Sequence, residues 1–179
     1  MKKLIIFLVI FIICITSLFS QQVSKIRIAV VNFQVLGNRG LIPDIGPGLQ
    51  EMIMTNLGQN SAIQIIERRR LDQVVKELRY SGNDLFNYRK AAKLGKLLQA
   101  QYIVTGSVVV FGSAIRITSR IVKIQTGEVI RTYQIICPSK NSIFEKIDYL
   151  SQDIEGGILG VDQAQREQTS PKIEIAFVI

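Results

Sequence analysis

The segment from residue 102 to 136 constrains the fold most, because its apolar and polar residues alternate with a period of two between tight turns. Its three parts are YIVTGSVVVF, IRITSRIVKI and EVIRTYQII, separated by GS and TG turns. β-branched residues at this period favour strands, and short breaks that contain glycine favour hairpins. The sequence therefore predicts a three-stranded antiparallel meander. Alternation in the middle strand predicts a buried face with Ile115, Ile117 and Ile121 and a wetter face with Arg116 and Arg120.

The residues before the meander alternate between strand-like and helix-like patterns. IRIAVVNF, over 26–33, is an uninterrupted apolar run, which predicts an interior strand covered on both faces. The next stretch, QVLGNRGLIP, contains Gly37, Gly40 and Pro43 and is predicted to be an irregular connection. Apolar residues then recur at helical spacing in GLQEMIMTNL, RRRLDQVVKELR and YRKAAKLGKLL, with one short strand over 62–66. This order predicts an α/β fold, a mixed β-sheet with helices packed against it.

The C-terminal part is predicted to hold one more helix, a linker and a strand. The helix is amphipathic over 142–158, and the adjacent Gly156 and Gly157 predict its end. The polar sequence that follows predicts a linker, and the final IEIAFVI predicts one strand. The predicted organisation is thus a signal peptide over 1–20, one α/β domain over 21–160, and the linker with its strand over 161–179.

The N-terminus has the layout of a secretory signal peptide. Lys2 and Lys3 precede an uncharged apolar run over 4–19, and Ser20 is a small residue suited to the position before a cut. The run has about 16 residues, fewer than the roughly 20 that span the hydrocarbon core of a bilayer. We therefore predict export, to the periplasm or the outer membrane, with an uncleaved membrane anchor as the alternative.

Two cysteines bear on localisation and on redox chemistry. Cys14 lies in the apolar run, where a lipoprotein signal would carry its lipidated cysteine, but the bulky Ile13 before it argues against lipidation. If the chain is cut after Ser20, Cys137 is the single thiol that remains, so no internal disulfide forms. We predict Cys137 to be a buried apolar residue.

The residue types of common catalytic and metal sites are scarce. The chain has no histidine and two cysteines, which excludes His-based acid/base relays and the usual zinc sites. The GPG sequence at 46–48 does not match a dinucleotide fingerprint, and no GxxxxGK[ST] phosphate loop occurs. Asp148, Asp153 and Glu155 are spaced as on a solvated helix face. We therefore expect no enzyme activity, no cofactor and no metal.

Positive charge is concentrated in the two helices that precede the meander. The full chain has a net charge of +8, of which Lys2 and Lys3 supply +2. We predict a basic docking face there, formed by Arg68, Arg69, Arg70, Arg79, Arg89, Lys90, Lys93 and Lys96. Its expected partners are envelope proteins or an anionic envelope surface, and self-association into a homo-oligomer is also open. Nucleic-acid binding is an alternative, but no nucleic acid is expected because no recognition motif accompanies the charge.

Four stretches of the chain together resemble the CsgG superfamily. They are IAVVNF, IIERRRLDQVVKE, AAKLGKLLQAQYIVTGSV and RITSRIVKIQTGEVI, and the likeness extends over about 26–158. The superfamily includes the curli assembly and transport component CsgG, FlgO proteins, the N-terminal domain of TolB, and LpoB, an activator of a penicillin-binding protein. The resemblance implies an anticodon-binding-like or TolB N-terminal-like α/β sandwich. Its motif positions here, predicted to have an architectural role, are Glu67, Arg68, Gly95, Gly106, Thr126 and Gly127.

The chain departs from the curli channel at the two places where that channel's long membrane-inserting hairpins leave the core. Here the turn after Val110 is only GS, and the segment after Ile130 reaches a helix at once. The resemblance therefore implies an exported, non-enzymatic envelope protein that acts in assembly or transport through protein contacts and is not itself a pore. The alternative it implies is an LpoB-like activator of a penicillin-binding protein in peptidoglycan synthesis.

Overall fold

A computed structural model describes residues 24–37, 45–81, 84–85 and 87–169 of the 179-residue chain. The predicted signal peptide and the predicted C-terminal strand lie outside the described residues. The described strands are β1 (Ile26–Val30), β2 (Gln34–Gly37), β3 (Ile63–Ile65), β4 (Tyr102–Phe111), β5 (Ala114–Lys123) and β6 (Glu128–Cys137). The described helices are α1 (Ile45–Gly58), α2 (Arg68–Glu77), α3 (Tyr88–Leu98) and α4 (Ile143–Thr169).

The six strands form one mixed sheet in the order β3-β1-β4-β5-β6, with β2 also paired to β4. β1 runs parallel to β3 and β4, whereas β4, β5 and β6 are successively antiparallel. The predicted meander is confirmed. Its middle strand buries Ile115, Ile117 and Ile121 and leaves Arg116 exposed, as its alternation predicts.

The short strand β2 is a correction to the sequence analysis, which predicts an irregular connection there. β1 pairs with only the first part of β4, through Val30 opposite Val104. The later part of β4 would otherwise have an unpaired edge beside β1. The QVLG tetrapeptide pairs with that edge in parallel, with Gln34 to Gly37 opposite Ser107 to Val110. Four residues are too few for a period of two to be recognised in a sequence that also contains turn-forming residues.

Helices cover both faces of the sheet. The larger core lies between the sheet and the pair α1 and α4, whereas the smaller core lies between the sheet and the pair α2 and α3. β1 and the residue after it show why both faces are apolar: Ile28 and Val30 belong to the larger core, and Ala29 and Val31 to the smaller one. The predicted α/β fold, a mixed sheet with helices packed against it, is confirmed.

The last helix is longer than its sequence predicts. α4 continues through Gly156 and Gly157 to Thr169, so the predicted helix end and the predicted linker over 161–169 are wrong. Gly157 packs closely against β6, because a Cβ there would overlap the Tyr133 hydroxyl group unless that side chain shifted. Beyond it, Leu159 and Val161 pack against the larger core and extend the buried face of the helix.

Two further features of the described residues concern membrane spans and the free thiol. None of the described helices is both long enough and apolar enough to cross a membrane. Cys137, at the end of β6, is a free thiol with no exposed surface, which confirms its predicted burial. Burial raises the pKa of this thiol, and the nearby Lys146 ammonium group opposes that shift in part.

Candidate docking surface

The arginine-rich start of α2 lies on the exposed side of a helix that buries little. Leu71 is its one fully buried residue, and Val74 and Val75 are half-buried against the smaller core. Arg69 and Arg70 are exposed. Arg68 is half-buried and forms an ion pair with Asp72, one helical turn later, at 3.7 Å. Because the pair is largely exposed, its contribution to stability is small.

The predicted motif residue Glu67 occupies the N-cap position of α2. Its side chain makes no capping hydrogen bond, whereas its backbone carbonyl accepts a hydrogen bond from the Leu71 amide at 3.1 Å. The first turn of the helix therefore begins without the side-chain cap that Ser, Thr, Asp or Asn usually provides. At the other end, Arg79 follows the helix with φ of +53°, a left-handed conformation that turns the chain towards α3.

Lys90 is engaged within the protein. Its ammonium group is hydrogen-bonded to the Asp84 carboxylate and lies 5.6 Å from the Tyr80 ring centroid. Asp84 also accepts hydrogen bonds from the Ser81 amide at 2.7 Å and the Ser81 hydroxyl at 2.8 Å. The Lys90 hydrogen bond, followed by those from Ser81, lowers the pKa of Asp84 to about 2. Lys90 thus fixes the start of α3 and offers less free charge than its neighbours.

The ends of α3 are held by polar contacts that fix where its basic residues lie. At its start, the Asn87 side chain accepts hydrogen bonds from the amides of Arg89, at 3.0 Å, and Lys90, at 3.4 Å. At its end, Gln99 has φ of +55°, and the Arg27 guanidinium donates to the Leu98 carbonyl at 3.2 Å. A cation beside the terminal carbonyls of a helix is favourable.

The buried face of α3 lies close against the sheet. Ala91, Leu94 and Leu98 are fully buried, and the predicted motif residue Gly95 faces Ile124 at the end of β5. A Cβ on Gly95 would lie 2.7 Å from Ile124 Cγ1, closer than carbon atoms pack. The glycine therefore brings the exposed lysines of α3 close to the turn between β5 and β6.

The other predicted motif residues lie in the sheet and in that turn. A Cβ on Gly106 would overlap the Thr118 carbonyl and the Phe33 ring, so this position lets β4 pass its neighbours closely. In the turn between β5 and β6, Gly127 has φ of +74°. The Thr126 hydroxyl accepts a hydrogen bond from the Glu128 amide at 3.4 Å.

A groove runs between α3 and the turn that joins β5 to β6, and we call it the basic groove. Its first part has a volume of about 460 Å³ and is lined by Arg89, Lys93, Lys96 and the turn. Its second part has a volume of about 400 Å³ and is lined by Lys96, Lys123 and the segment before β4. Lys96, Ile124 and Gln125 line both parts, so the two adjoin each other.

The two helical layers carry opposite charge. α2 and α3 contain eight basic residues (Arg68, Arg69, Arg70, Lys76, Arg89, Lys90, Lys93, Lys96) and two acidic ones (Asp72, Glu77). α1, and α4 as far as residue 164, contain six acidic residues (Glu51, Glu145, Asp148, Asp153, Glu155, Asp162) and one basic residue (Lys146). Since the pairs lie on opposite faces of the sheet, the domain has a basic layer and an acidic layer. Such an arrangement orients the domain towards a charged partner.

The acidic layer contains a polar cleft that joins α1 to α4. The Asn56 side-chain amide donates to Asp148 at 2.9 Å, and that of Asn60 donates to Glu155 at 2.6 Å. The cleft has a volume of about 570 Å³. Its carboxylates serve as hydrogen-bond acceptors within the fold. Throughout the described part of the chain, no three His, Cys, Asp or Glu side chains come together as a metal site would require.

The structure divides the eight residues of the predicted docking face. Arg89, Lys93 and Lys96 line the basic groove, and Lys90 lies beside them but is engaged with Asp84. The remaining four lie on or directly after α2: Arg68, Arg69, Arg70 and Arg79. Sequence analysis missed Lys123, which reaches the groove from β5 opposite Tyr102. Its place beside a predicted turn was visible in the sequence, but the contact of that turn with α3 was not.

Fold and surface together define a small α/β domain with one basic and one acidic helical layer. The family described as curli production assembly/transport component CsgG matches residues 15–122. This match spans more than half of the chain, and the chain belongs to the CsgG family. No curated protein sequence matches the chain significantly.

Solved structures with this fold include several proteins of low sequence identity. The LpoB C-terminal domain from Escherichia coli has a TM-score of 0.53 and 18% identity, covering 66% of this chain and 86% of that one. The hypothetical protein CT253 from Chlamydia trachomatis has a TM-score of 0.53 and 12% identity, covering 75% and 98%. Lipoprotein GNA1162 from Neisseria meningitidis has a TM-score of 0.51 and 13% identity, covering 82% and 98%. At these identities the likeness shows the fold alone.

Proposed function

We propose that this CsgG-family protein is exported and works as a non-enzymatic docking protein of the cell envelope. In this role it contacts envelope proteins through its basic layer and contributes to assembly or transport. The observation that carries the proposal is the separation of charge between the two helical layers. A uniformly mixed surface would suffice for solubility, whereas opposite layers direct one face towards an anionic partner.

Proposed export is supported by the lysines at positions 2 and 3 and by the apolar run that follows them. The test is to recover the protein from its native host and sequence its N-terminus. We expect the mature chain to begin at Gln21 or within a few residues of it, in the periplasmic or outer-membrane fraction. A chain that retains Met1 and fractionates with the cytosol would contradict export.

Lipidation at Cys14 and an uncleaved anchor give different results in the same preparation. Radiolabelled palmitate that is incorporated into the wild type but not into Cys14→Ser would show lipidation. Recovery of an uncut chain in the membrane fraction would show an anchor. Either result keeps the protein in the envelope but contradicts our proposal of a cut after Ser20.

The proposed role does not include conduction. Its support is the connection between β4 and β5, where the two strands pair as far as Phe111 opposite Ala114 and leave only Gly112 and Ser113 as the turn. The connection from β6 to α4 is also short, because Cys137 ends the strand and Ile143 begins the helix. We expect planar-bilayer recordings of the purified protein to show no discrete conductance. Reproducible single-channel steps would contradict this part of the proposal.

The alternative role is that of an LpoB-like activator of a penicillin-binding protein. Its support is the fold that this chain shares with the LpoB C-terminal domain. The two roles differ in a direct assay, in which purified protein is added to a penicillin-binding protein of the same host and glycan-chain synthesis is measured. Stimulation would favour the alternative, and an unchanged rate would favour the docking role in assembly or transport.

A further inference from the structure

The basic groove differs from the rest of the basic layer because cations face it from two elements. Arg89, Lys93 and Lys96 approach from α3, and Lys123 approaches from the sheet. Lys93, Lys96 and Lys123 make no ion pair with any described residue, in contrast to Lys90. Glu128 is the carboxylate that lines the groove, at the rim of its first part. The groove therefore concentrates positive charge that the fold itself does not neutralise.

The groove also has the shape and the lining of a site for an extended chain. Its two parts adjoin beside α3, with Lys96, Ile124 and Gln125 lining both. The lining includes apolar Ala92 and Ile124, both largely buried, and the side-chain amide of Gln125. An extended peptide needs apolar contact for alternate side chains and hydrogen-bonding groups along its backbone, and this lining offers both.

From these observations we propose that the basic groove binds an acidic, extended peptide segment of a partner protein. The inference rests on the proposed docking function and narrows it to one site and one ligand class. Carboxylates spaced along the segment would meet Arg89, Lys93, Lys96 and Lys123 in turn, with smaller side chains over Ala92 and Ile124. Charge complementarity of this kind mainly speeds association and selects the partner.

A peptide fits the groove better than a bilayer or a nucleic acid does. The cations line the walls of a concave site, whereas a flat bilayer contacts protruding residues. Two aromatic residues line the groove, Tyr88 and Tyr102. Tyr102 is only 2% exposed, whereas the Tyr88 ring is exposed and has the Arg89 guanidinium 5.8 Å from its centroid. One exposed ring does not make the row of aromatic side chains on which successive bases of a single strand stack.

The test measures binding of a short fluorescein-labelled peptide of alternating Glu and Ala to the full chain by fluorescence anisotropy. We expect saturable, salt-sensitive binding, and no binding of the matched peptide with Lys in place of Glu. Lys93→Glu, Lys96→Glu and Lys123→Glu should each weaken binding about three- to tenfold. Glu128→Gln should strengthen it, because this substitution removes the carboxylate that repels the peptide. A gain of affinity does not arise from a misfolded variant.

The matched control is Lys76→Glu, which reverses one charge of the basic layer outside the groove. We expect it to weaken binding less than twofold. If Lys76→Glu and Lys93→Glu lose equal affinity for the peptide, the groove is not the binding site. The proposed docking function of the basic layer would remain intact. Absence of peptide binding, or stronger binding to phosphatidylglycerol vesicles or to single-stranded DNA, would also overturn the peptide site. Binding of envelope proteins through the basic layer is measured separately. Failure of the peptide site can therefore be told apart from failure of the proposed docking function.

Discussion

Gly95 of α3 packs against Ile124 at the end of β5 so closely that the glycine position leaves no room for a methyl group. Ile124 has only 5% of its surface exposed, and Ile103 closes the same space, where it would lie 3.1 Å from a Cβ on Gly95. This contact sets the separation between the lysines of α3 and Lys123. The width of the basic groove therefore depends on a residue that lies beneath it.

Gly95→Ala tests this contact. Overpacking a buried position costs about 1–3 kcal/mol, and the better helix propensity of alanine returns up to about 1 kcal/mol. We expect a net loss of about 1–2 kcal/mol in the free energy of unfolding, measured by urea denaturation. Adding Ile124→Val, which removes the Cδ1 atom, should recover part of that loss. If Gly95→Ala proves as stable as wild type, the close contact between Gly95 and Ile124 is contradicted.

The neighbours Gly156 and Gly157 provide a matched pair on α4. A Cβ on Gly156 meets nothing within 4 Å, so Gly156→Ala should stabilise the protein by about 0.5–1 kcal/mol. A Cβ on Gly157 would overlap the Tyr133 hydroxyl and force that side chain to shift, so Gly157→Ala should be less stable than Gly156→Ala by about 1 kcal/mol. Tyr133→Phe removes the overlapped oxygen and should narrow this difference. Equal thermal midpoints for the two alanine variants would contradict the close packing of Gly157 against Tyr133.

Asp84 is expected to titrate far below an ordinary aspartate. Hydrogen bonds from Lys90 and Ser81 lower its pKa from 3.8 to about 2. A carboxyl group whose pKa is depressed by folding stabilises the folded state above its unfolded pKa, and this contribution is lost as pH falls from about 4 to about 2. A carbon-detected NMR titration of Asp84 should give the low value in wild type and a higher one in Lys90→Met. An ordinary pKa for Asp84 in wild type would contradict the anchoring role of Lys90.

Cys137 should be chemically inert in the folded protein. It has no exposed surface, and burial raises the pKa of its thiol, so the reactive thiolate is scarce near neutral pH. In the chain from Gln21 onward, we expect iodoacetamide to label Cys137 slowly in buffer and fully in urea. Labelling at equal rates in both conditions would show that the end of β6 opens readily.

Sequence reasoning succeeded where a pattern is long and repeats. The ten-residue strands of the meander and the helix around Leu49, Ile53 and Leu57 have clear periods, and the structure confirms them. It failed where a contact between distant segments decides the local structure. β2 pairs with a part of β4 that β1 leaves free, and α4 continues past Gly157 to residues that pack against the larger core, Leu159 and Val161.

In the candidate surface too, periodicity predicts exposure but not the contacts between distant segments. Helical periodicity predicts that Arg89, Lys93 and Lys96 are exposed together, and they are. It does not reveal that Lys90 is bonded to Asp84, since this pair depends on the turn between α2 and α3. Nor does it place Lys123 across from α3, because that contact joins residues far apart in the chain.

The most direct test of the account compares two charge-reversed proteins in pull-downs from envelope extracts of the native host. One carries Arg89→Glu, Lys93→Glu and Lys96→Glu on the basic layer. The other carries Lys25→Glu, Arg116→Glu and Arg131→Glu, which are exposed outside the two helical layers and change the net charge equally. We predict that the first protein loses the envelope partners captured by wild type at low salt, while the second retains them and both keep the wild-type melting temperature. Equal recovery of every partner by all three proteins would contradict docking through the basic layer.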